Sequence, residues 1–259
     1  MQCASCGFRR KDHLPSADEE ERLYEDDYYN ARGLQVGMQS QSTWMRELIQ
    51  DRVSKLTELN GGPGRLLDVG AGTGLFIEAS LSIGWSATGV DTSAAAVAIA
   101  KRITRADVIR GGIEDVKAGG FDAVTLWDVL EHLPDPRSSL LKVRELLRPG
   151  GLVAISLPNV GGLKARILGT RWRYFQREVG HISHFSAKTL TAILRQAGFT
   201  PVHLRTSGLI NLGKPLHLSP EAVKERHRML SNLQSLADAA PGAFDLGESL
   251  VAFARSPWN

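Results

Sequence analysis

Hydrophobic and polar positions change period several times along this chain. Met38, Met45, Leu48, Ile49, Val53 and Leu56 recur at roughly helical spacing and predict a helix over 38–59, which Gly61-Gly62-Pro63-Gly64 ends. An apolar run at 65–69 reads as a strand that closes on a glycine loop, and a helix follows over 75–83. The pattern then predicts a strand at 86–91 and a helix at 94–102 capped by Ser93. Strands are expected at 107–110 and 121–127, then a helix at 136–147 with Asp135 as its cap and Pro136 in its first turn. Residues 152–157 form an apolar, buried strand, and 186–197 a helix ending at Gly198. Two last strands, 200–206 and 249–255, flank a polar helix near 220–237. Such alternation predicts an α/β domain with a parallel sheet, and a ligand beyond the carboxyl ends of its strands.

Composition narrows this picture. At 259 residues, 42% hydrophobic and 23% charged, the chain is neither disordered nor fibrous. A net charge of +3 is too mild to argue for nucleic acid. The sign is uneven: residues 18–27 carry seven acids and one base, whereas 161–190 carry six Lys/Arg and one Glu. A solvated surface is the plain reading of both runs, and the basic one could meet an anionic substrate. Cys3 and Cys6 are the only cysteines, so no disulfide framework exists. No apolar run approaches a membrane span, and the first ten residues lack a secretory core. A cytoplasmic protein without a membrane partner is expected.

Glycine is more informative. Sixteen of the 26 glycines fall between Gly61 and Gly162. The sharpest signal is Leu66-Leu67-Asp68-Val69-Gly70-Ala71-Gly72-Thr73-Gly74, which follows a strand and opens a helix. Glycines there let a ligand approach backbone amides at a helix N-terminus. A dinucleotide fingerprint would need Gly where Leu75 stands, and a P-loop would need Lys-Ser/Thr after Gly74. Both fail. Asp68 ahead of the glycines suits a ligand bearing an amine better than a pyrophosphate. Further on, Gly89-Val90-Asp91 closes the next strand, where a carboxylate can accept both hydroxyls of a ribose or cap the next helix.

Taken together, these residues resemble class I S-adenosylmethionine-dependent methyltransferases. Phe121–Trp127 with Asp128-Val129-Leu130-Glu131-His132-Leu133 is similar to that superfamily's fourth-strand motif, and Leu147-Arg148-Pro149-Gly150-Gly151-Leu152 to its turn into the fifth strand. The stretch from His181-Ile182-Ser183-His184-Phe185-Ser186 to Ala197-Gly198-Phe199 resembles the small-molecule subgroup that includes ubiquinone-type O-methyltransferases and sugar or natural-product methyltransferases. The resemblance implies a Rossmann-like seven-stranded sheet, mostly parallel with an antiparallel last strand, and helices on both faces. It also implies S-adenosylmethionine as cofactor. Asp68, Gly70, Ala71, Gly72 and Gly74 would line its methionine part, and Asp91 with Thr92 would take the ribose. Ile113 and Glu114 would border the adenine, with Gly112 standing where the family often has Asp. Trp127 and Asp128 would sit beside the amino-acid end.

The cofactor brings the reactive methyl, so the protein has to align it with a nucleophile. A hydroxyl nucleophile also needs its proton removed, and His132, His181 and His184 are the candidates. Asp128, Glu131 and His132 would share one face of a helical turn and, joined by His181 or His184, would resemble metal sites of some O-methyltransferases. A metal-free histidine base is favoured over that divalent ion. Arg171-Trp172-Arg173-Tyr174-Phe175 could read bases, roof a small anionic or aromatic acceptor, or simply pack.

Residues 1–37 are expected to be an N-terminal extension, a remnant of a zinc ribbon with Cys3 and Cys6 as its cysteine pair and His13 as a third donor; zinc itself is not expected. Residues 38–259 would form the methyltransferase domain, with a substrate-side insertion near 158–185 and a helical insertion near 214–240. The expected activity is methyl transfer to a small-molecule acceptor, at oxygen before carbon or nitrogen. The alternatives are RNA methylation through the basic-aromatic segment 164–177, or a non-catalytic S-adenosylmethionine-binding protein. Nucleic acid is not the expected partner, and oligomeric state is open.

Overall fold

The structure, a computed structural model, describes residues 1, 3, 7–11, 37–176, 180–207 and 247–258. The expected helix near 220–237, Cys6, His13, the acidic run at 18–27 and its tyrosines lie outside these residues.

Nine strands are present among the described residues: β1 (Arg9–Arg10), β2 (Arg65–Val69), β3 (Ser86–Asp91), β4 (Val108–Arg110), β5 (Phe121–Trp127), β6 (Leu147–Pro158), β7 (Ser183–His184), β8 (Thr200–Ser207) and β9 (Ser249–Arg255). Seven of them form one sheet in the order β4-β3-β2-β5-β6-β9-β8. The first five in that order run parallel, and β9 is antiparallel to both of its neighbours. The continuous apolar runs of β2 and β5 make sense here, because a parallel strand is covered on both faces. Leu66 and Ala123 pack under one layer of helices, and Leu67 and Val124 under the other.

The first layer is α1 (Thr43–Asn60), α2 (Leu75–Ser82) and α3 (Ala94–Thr104). Ile49, Val53 and Leu56 of α1 meet Phe76 and Ile77 of α2 over the sheet. The second layer contains α4 (Pro136–Leu146) and α7 (Ala187–Gln196), whose Leu140, Val143, Leu190 and Leu194 pack on Val153 and Ile155. Fully burying each such aliphatic side chain contributes about 1.5–3 kcal/mol. Two short helices, α5 (Leu163–Leu168) and α6 (Arg173–Gln176), lie on the link between β6 and β7.

Ser93 caps α3 by accepting from Ala96 N, and Asp135 caps α4 by accepting from Arg137 N and Ser138 N. Helix α1 begins at Thr43 and not at residue 38, because Met38–Ser40 forms a separate 3-10 turn. Strand β6 starts five residues before the expected 152, since Leu147 already pairs with Phe121 ahead of a register shift.

One pairing has no counterpart in the hydrophobic pattern. Arg9 and Arg10 pair antiparallel with His184 and Ser183, and Phe8 packs on Phe185 with ring centroids 5.2 Å apart. The chain's first described residues therefore lie across the segment that carries two candidate histidines. No helix of the described residues is long and apolar enough to cross a membrane.

Candidate active site

Chain order reverses between β2 and β5: from β2 the chain builds outward to β3 and β4, then returns to place β5 on the other side. Open α/β sheets bind ligands at such a crevice. Val69 pairs with Leu126, so the glycine loop after β2 and the turn after β5 leave the sheet side by side.

The loop is made by backbone geometry. Gly70, Gly72 and Gly74 have φ of 68°, 53° and 84°. A side chain on Gly70 would also strike Val129, whereas a Cβ on Gly72 would meet nothing among the described residues within 4 Å. Gly72 is thus held left-handed beside open space, where a ligand can approach the backbone. Asp91 fixes the loop: Gly72 N donates to its Oδ2 at 2.8 Å and Ser93 N to its Oδ1 at 2.9 Å. Burial, opposed by these two bonds, raises the Asp91 pKa. Asp91 therefore holds Ser93, the cap of α3, and braces the glycine loop at once, and each oxygen retains a lone pair for another donor.

Asp68 is buried under the loop and accepts from Thr125 Oγ1 at 2.5 Å. Burial pushes its pKa up to about 7; Asp91 adds to that rise, while the Thr125 bond and the Arg52 charge oppose it. On the adenine side, Gly111 N donates to Asp91 O at 2.9 Å and Gly112 N to Asp115 Oδ2 at 2.9 Å. Asp115, and not an acid at position 112, organises this turn; Ile113 is buried and Glu114 exposed. Thr92 meets Arg110 through its carbonyl, 3.5 Å from Nε.

Arg52 is the residue that sequence reasoning missed. From α1 it lies 4.6 Å over the Trp127 ring, and its Nη2 donates to Ser156 Oγ at 2.9 Å and Asp128 Oδ2 at 3.4 Å. A lone arginine in a charged helix has no local signal; only the packing of α1 over β5 and β6 sets it beside Trp127. Asp128 has φ of 57°, uncommon for a non-glycine residue. This turn aims Asp128 at Arg52, so residues 128–132 do not form the single helical face expected of Asp128, Glu131 and His132.

The histidines gather without Asp128. One ligand atom each of Glu131, His132 and His181 lies within 4.8 Å of the others. Glu131 is buried, its backbone oxygen accepts from Ile182 N and Ser183 N, and Oε1 is 3.9 Å from His181 Nε2. His181 stands edge-on to His132, centroids 4.6 Å apart, and stacks at 5.7 Å on Tyr174. Burial first, then the charges of His132, His184, Lys11 and Arg173, push its pKa down to about 3. His184 lies apart from the trio, edge-on to Phe175 at 4.6 Å, with its pKa lowered to about 4 mainly by burial. Both imidazoles are therefore neutral near pH 7, the form that accepts a proton or binds a metal. Trp172 is buried against Tyr174 and Phe175, which makes these rings a packed wall rather than an open stacking platform.

Comparison with known proteins identifies the family and the fold. The methyltransferase domain profile matches residues 42–204. Ubiquinone biosynthesis O-methyltransferase of Xanthomonas oryzae is 36% identical over 117 residues, 42% of this chain and 48% of that protein. The Bordetella avium protein of the same name is 32% identical over 154 residues, 54% of this chain and 64% of that one. The chain thus spans about half to two-thirds of the length of the curated relatives it matches. Among solved structures, the [4+2]-cyclase SpnF aligns with a TM-score of 0.66 at 19% identity, over 97% of this chain and all of that one. A 1,6-didemethyltoxoflavin N1-methyltransferase of Burkholderia thailandensis, solved with its acceptor and S-adenosylhomocysteine, aligns with a TM-score of 0.59 at 21% identity, over 98% and 97% of the two chains. These two likenesses establish a shared fold. With 163 of its 259 residues inside the matched profile, the chain belongs to the methyltransferase domain family.

Proposed function

We propose that this chain is a cytoplasmic S-adenosylmethionine-dependent methyltransferase that acts at a hydroxyl of a small-molecule acceptor. The observation that carries the choice of oxygen is the buried His181, neutral and bracketed by His132, Tyr174 and Glu131, on a segment that packs against the turn after β5. A hydroxyl must lose its proton as it attacks the methyl, and a neutral imidazole has the lone pair that accepts one.

In this reading Asp91 would accept the cofactor's ribose hydroxyls on its remaining lone pairs, and Gly70–Gly74 would line its methionine part. Asp68 would hold the methionine ammonium and Arg52 its carboxylate. Ile113 and Glu114 would border the adenine, and Trp127 and Asp128 would close the amino-acid end. Methyl transfer from the sulfonium is an in-line displacement, so rate comes from alignment and from exclusion of water.

Glu131, His132 and His181 also make a chemically sound donor set for a divalent ion, because the His181 imidazole needs no deprotonation. An ion there would lower the pKa of the acceptor hydroxyl. In that second reading the same three residues hold the ion and His184 supports the wall.

RNA methylation is the weaker reading. Trp172 is buried and Tyr174 and Phe175 are spent on ring contacts with Trp172, His181 and His184, so the segment offers bases little to stack on.

Calorimetry with S-adenosylmethionine and S-adenosylhomocysteine tests the cofactor, and transfer of a labelled methyl to a panel of phenols, hydroxy acids and sugars tests the acceptor. Absence of cofactor binding sinks the enzyme reading. Transfer to nitrogen or carbon acceptors alone sinks the hydroxyl.

A further inference from the structure

We propose that Arg9, Lys11 and Arg173 form an oxyanion subsite, so that the acceptor carries a carboxylate or phosphate beside the hydroxyl it presents to His181. This rests on the acceptor site lying at His181.

The strand pairing supplies the geometry. Arg9 stands directly opposite His184 across the β1–β7 pair, and such partners share a face of the ribbon. Its guanidinium lies 6.0 Å from the centre of the Phe175 ring, which touches His184 from the other side. Lys11 N donates to Ile182 O at 2.8 Å, which holds the next cation against the same segment. From α6, Arg173 lies 4.3 Å over the Tyr174 ring that stacks on His181, and its Nη2 donates to the Tyr174 hydroxyl. Three cations thus converge from two separate stretches of chain on one pair of imidazoles.

Two further atoms of this wall ask for a partner. Trp172 Nε1 and His181 Nδ1 are buried and accept or donate no hydrogen bond among the described residues. Buried polar groups of this kind are costly unless something bonds them. An oxyanion is acceptor-only, so it suits a ring of guanidinium, ammonium and indole donors. Two of the cations, Arg9 and Lys11, come from outside the matched methyltransferase profile, so the subsite would distinguish this chain's acceptor from those of relatives that share only the core.

The test uses the full chain saturated with S-adenosylhomocysteine, which blocks the cofactor's own carboxylate position and reports that the cofactor site is intact. Inorganic phosphate and benzoate are titrated separately by calorimetry, with ionic strength held by chloride. Saturable binding of either probe is expected, and Arg9→Ala and Arg173→Ala should each weaken it by about fivefold or more, the loss of a charge-assisted contact. Lys101→Ala, on the last turn of α3, should leave it unchanged. Preference for phosphate assigns a phosphate monoester, and preference for benzoate a carboxylate. Arg9→Gln keeps the stem's packing while removing the charge, and it must reproduce the loss. Failure of both probes to bind protein that holds S-adenosylhomocysteine, or equal weakening by Lys101→Ala, overturns the subsite and leaves the cofactor reading standing. Failure to bind S-adenosylhomocysteine at all overturns the reading beneath it.

Discussion

The Thr125 hydroxyl donates to the Asp68 carboxylate at 2.5 Å, across the register that pairs Asp68 of β2 with Thr125 of β5. The bond opposes burial, which still lifts the Asp68 pKa to about 7. Because the native state holds this proton while an unfolded Asp releases it near 3.8, the native chain binds more protons between these values. The contribution to stability is therefore full below about pH 4 and is lost as pH rises through about 7. Asp68→Asn should remove that slope and gain stability at pH 8 relative to its parent, on the order of 4 kcal/mol at most. Urea unfolding at pH 5 and pH 8 measures it; parallel losses in both proteins would refute the assignment.

The same proton reports on the cofactor. A methionine ammonium beside Asp68 favours the ionised carboxylate, so binding should release a proton wherever the free protein still holds one. S-adenosylhomocysteine affinity is then expected to fall as pH drops below about 7, and calorimetric heats should vary with buffer ionisation enthalpy. Asp68→Asn should bind more weakly, with an affinity insensitive to pH over the same interval. An unvarying affinity in the parent protein would separate Asp68 from the ammonium.

Asp91 holds two backbone donors, Gly72 N and Ser93 N. Asp91→Ala should cost about 1–3 kcal/mol of stability, since both donors lose their acceptor in a buried place. If the ribose also bonds there, cofactor affinity should fall by about tenfold or more, roughly 1.4 kcal/mol. Adenine-nucleoside fragments separate the two effects: 5′-deoxyadenosine, which keeps the ribose diol, should lose as much as the whole cofactor. Retained affinity for that fragment would mean that Asp91 is only a brace.

Arg52 makes a different prediction because the proposed reading sets it against the cofactor's carboxylate and not its ribose. Arg52→Ala should weaken S-adenosylhomocysteine by about tenfold, the worth of one charged contact, and should leave 5′-methylthioadenosine, which lacks the amino-acid carboxylate, unaffected. Equal losses for both ligands would point to collapse of the Trp127 stack instead of a lost carboxylate contact.

Much of this was legible in the chain. The periods of β2, β3 and β5, the caps Ser93 and Asp135 and the glycine loop all act over a few residues, so the pattern marks them directly. Asp68 stands out because it precedes that loop, and Asp91 because it closes the next strand. Arg52, the Asp68–Thr125 bond and the Arg9–His184 pairing do not, because each depends on register or helix placement between residues 57 to 175 positions apart. Two-residue strands such as β1 and β7 are too short to show a period at all. The grouping of Asp128 with Glu131 and His132 was drawn on helical spacing, and a single residue at φ 57° undid it.

His181 bears the chemistry in the proposed reaction. With its pKa near 3, it stays neutral far below neutral pH, so the base should remain competent as pH falls from 8 to 5. His181→Ala is expected to lower kcat by about 10²–10⁴, the usual worth of a positioned base, with S-adenosylhomocysteine affinity unchanged. A chelator separates the two mechanisms. Activity that survives exhaustive chelation and still collapses in His181→Ala marks a metal-free base. Activity that is lost on chelation and restored by Mn or Zn marks His181, His132 and Glu131 as ligands, and all three alanine variants should then lose metal affinity together. Full turnover in His181→Ala, with or without metal, would remove this histidine from the reaction and shift the search to His184 and Tyr174.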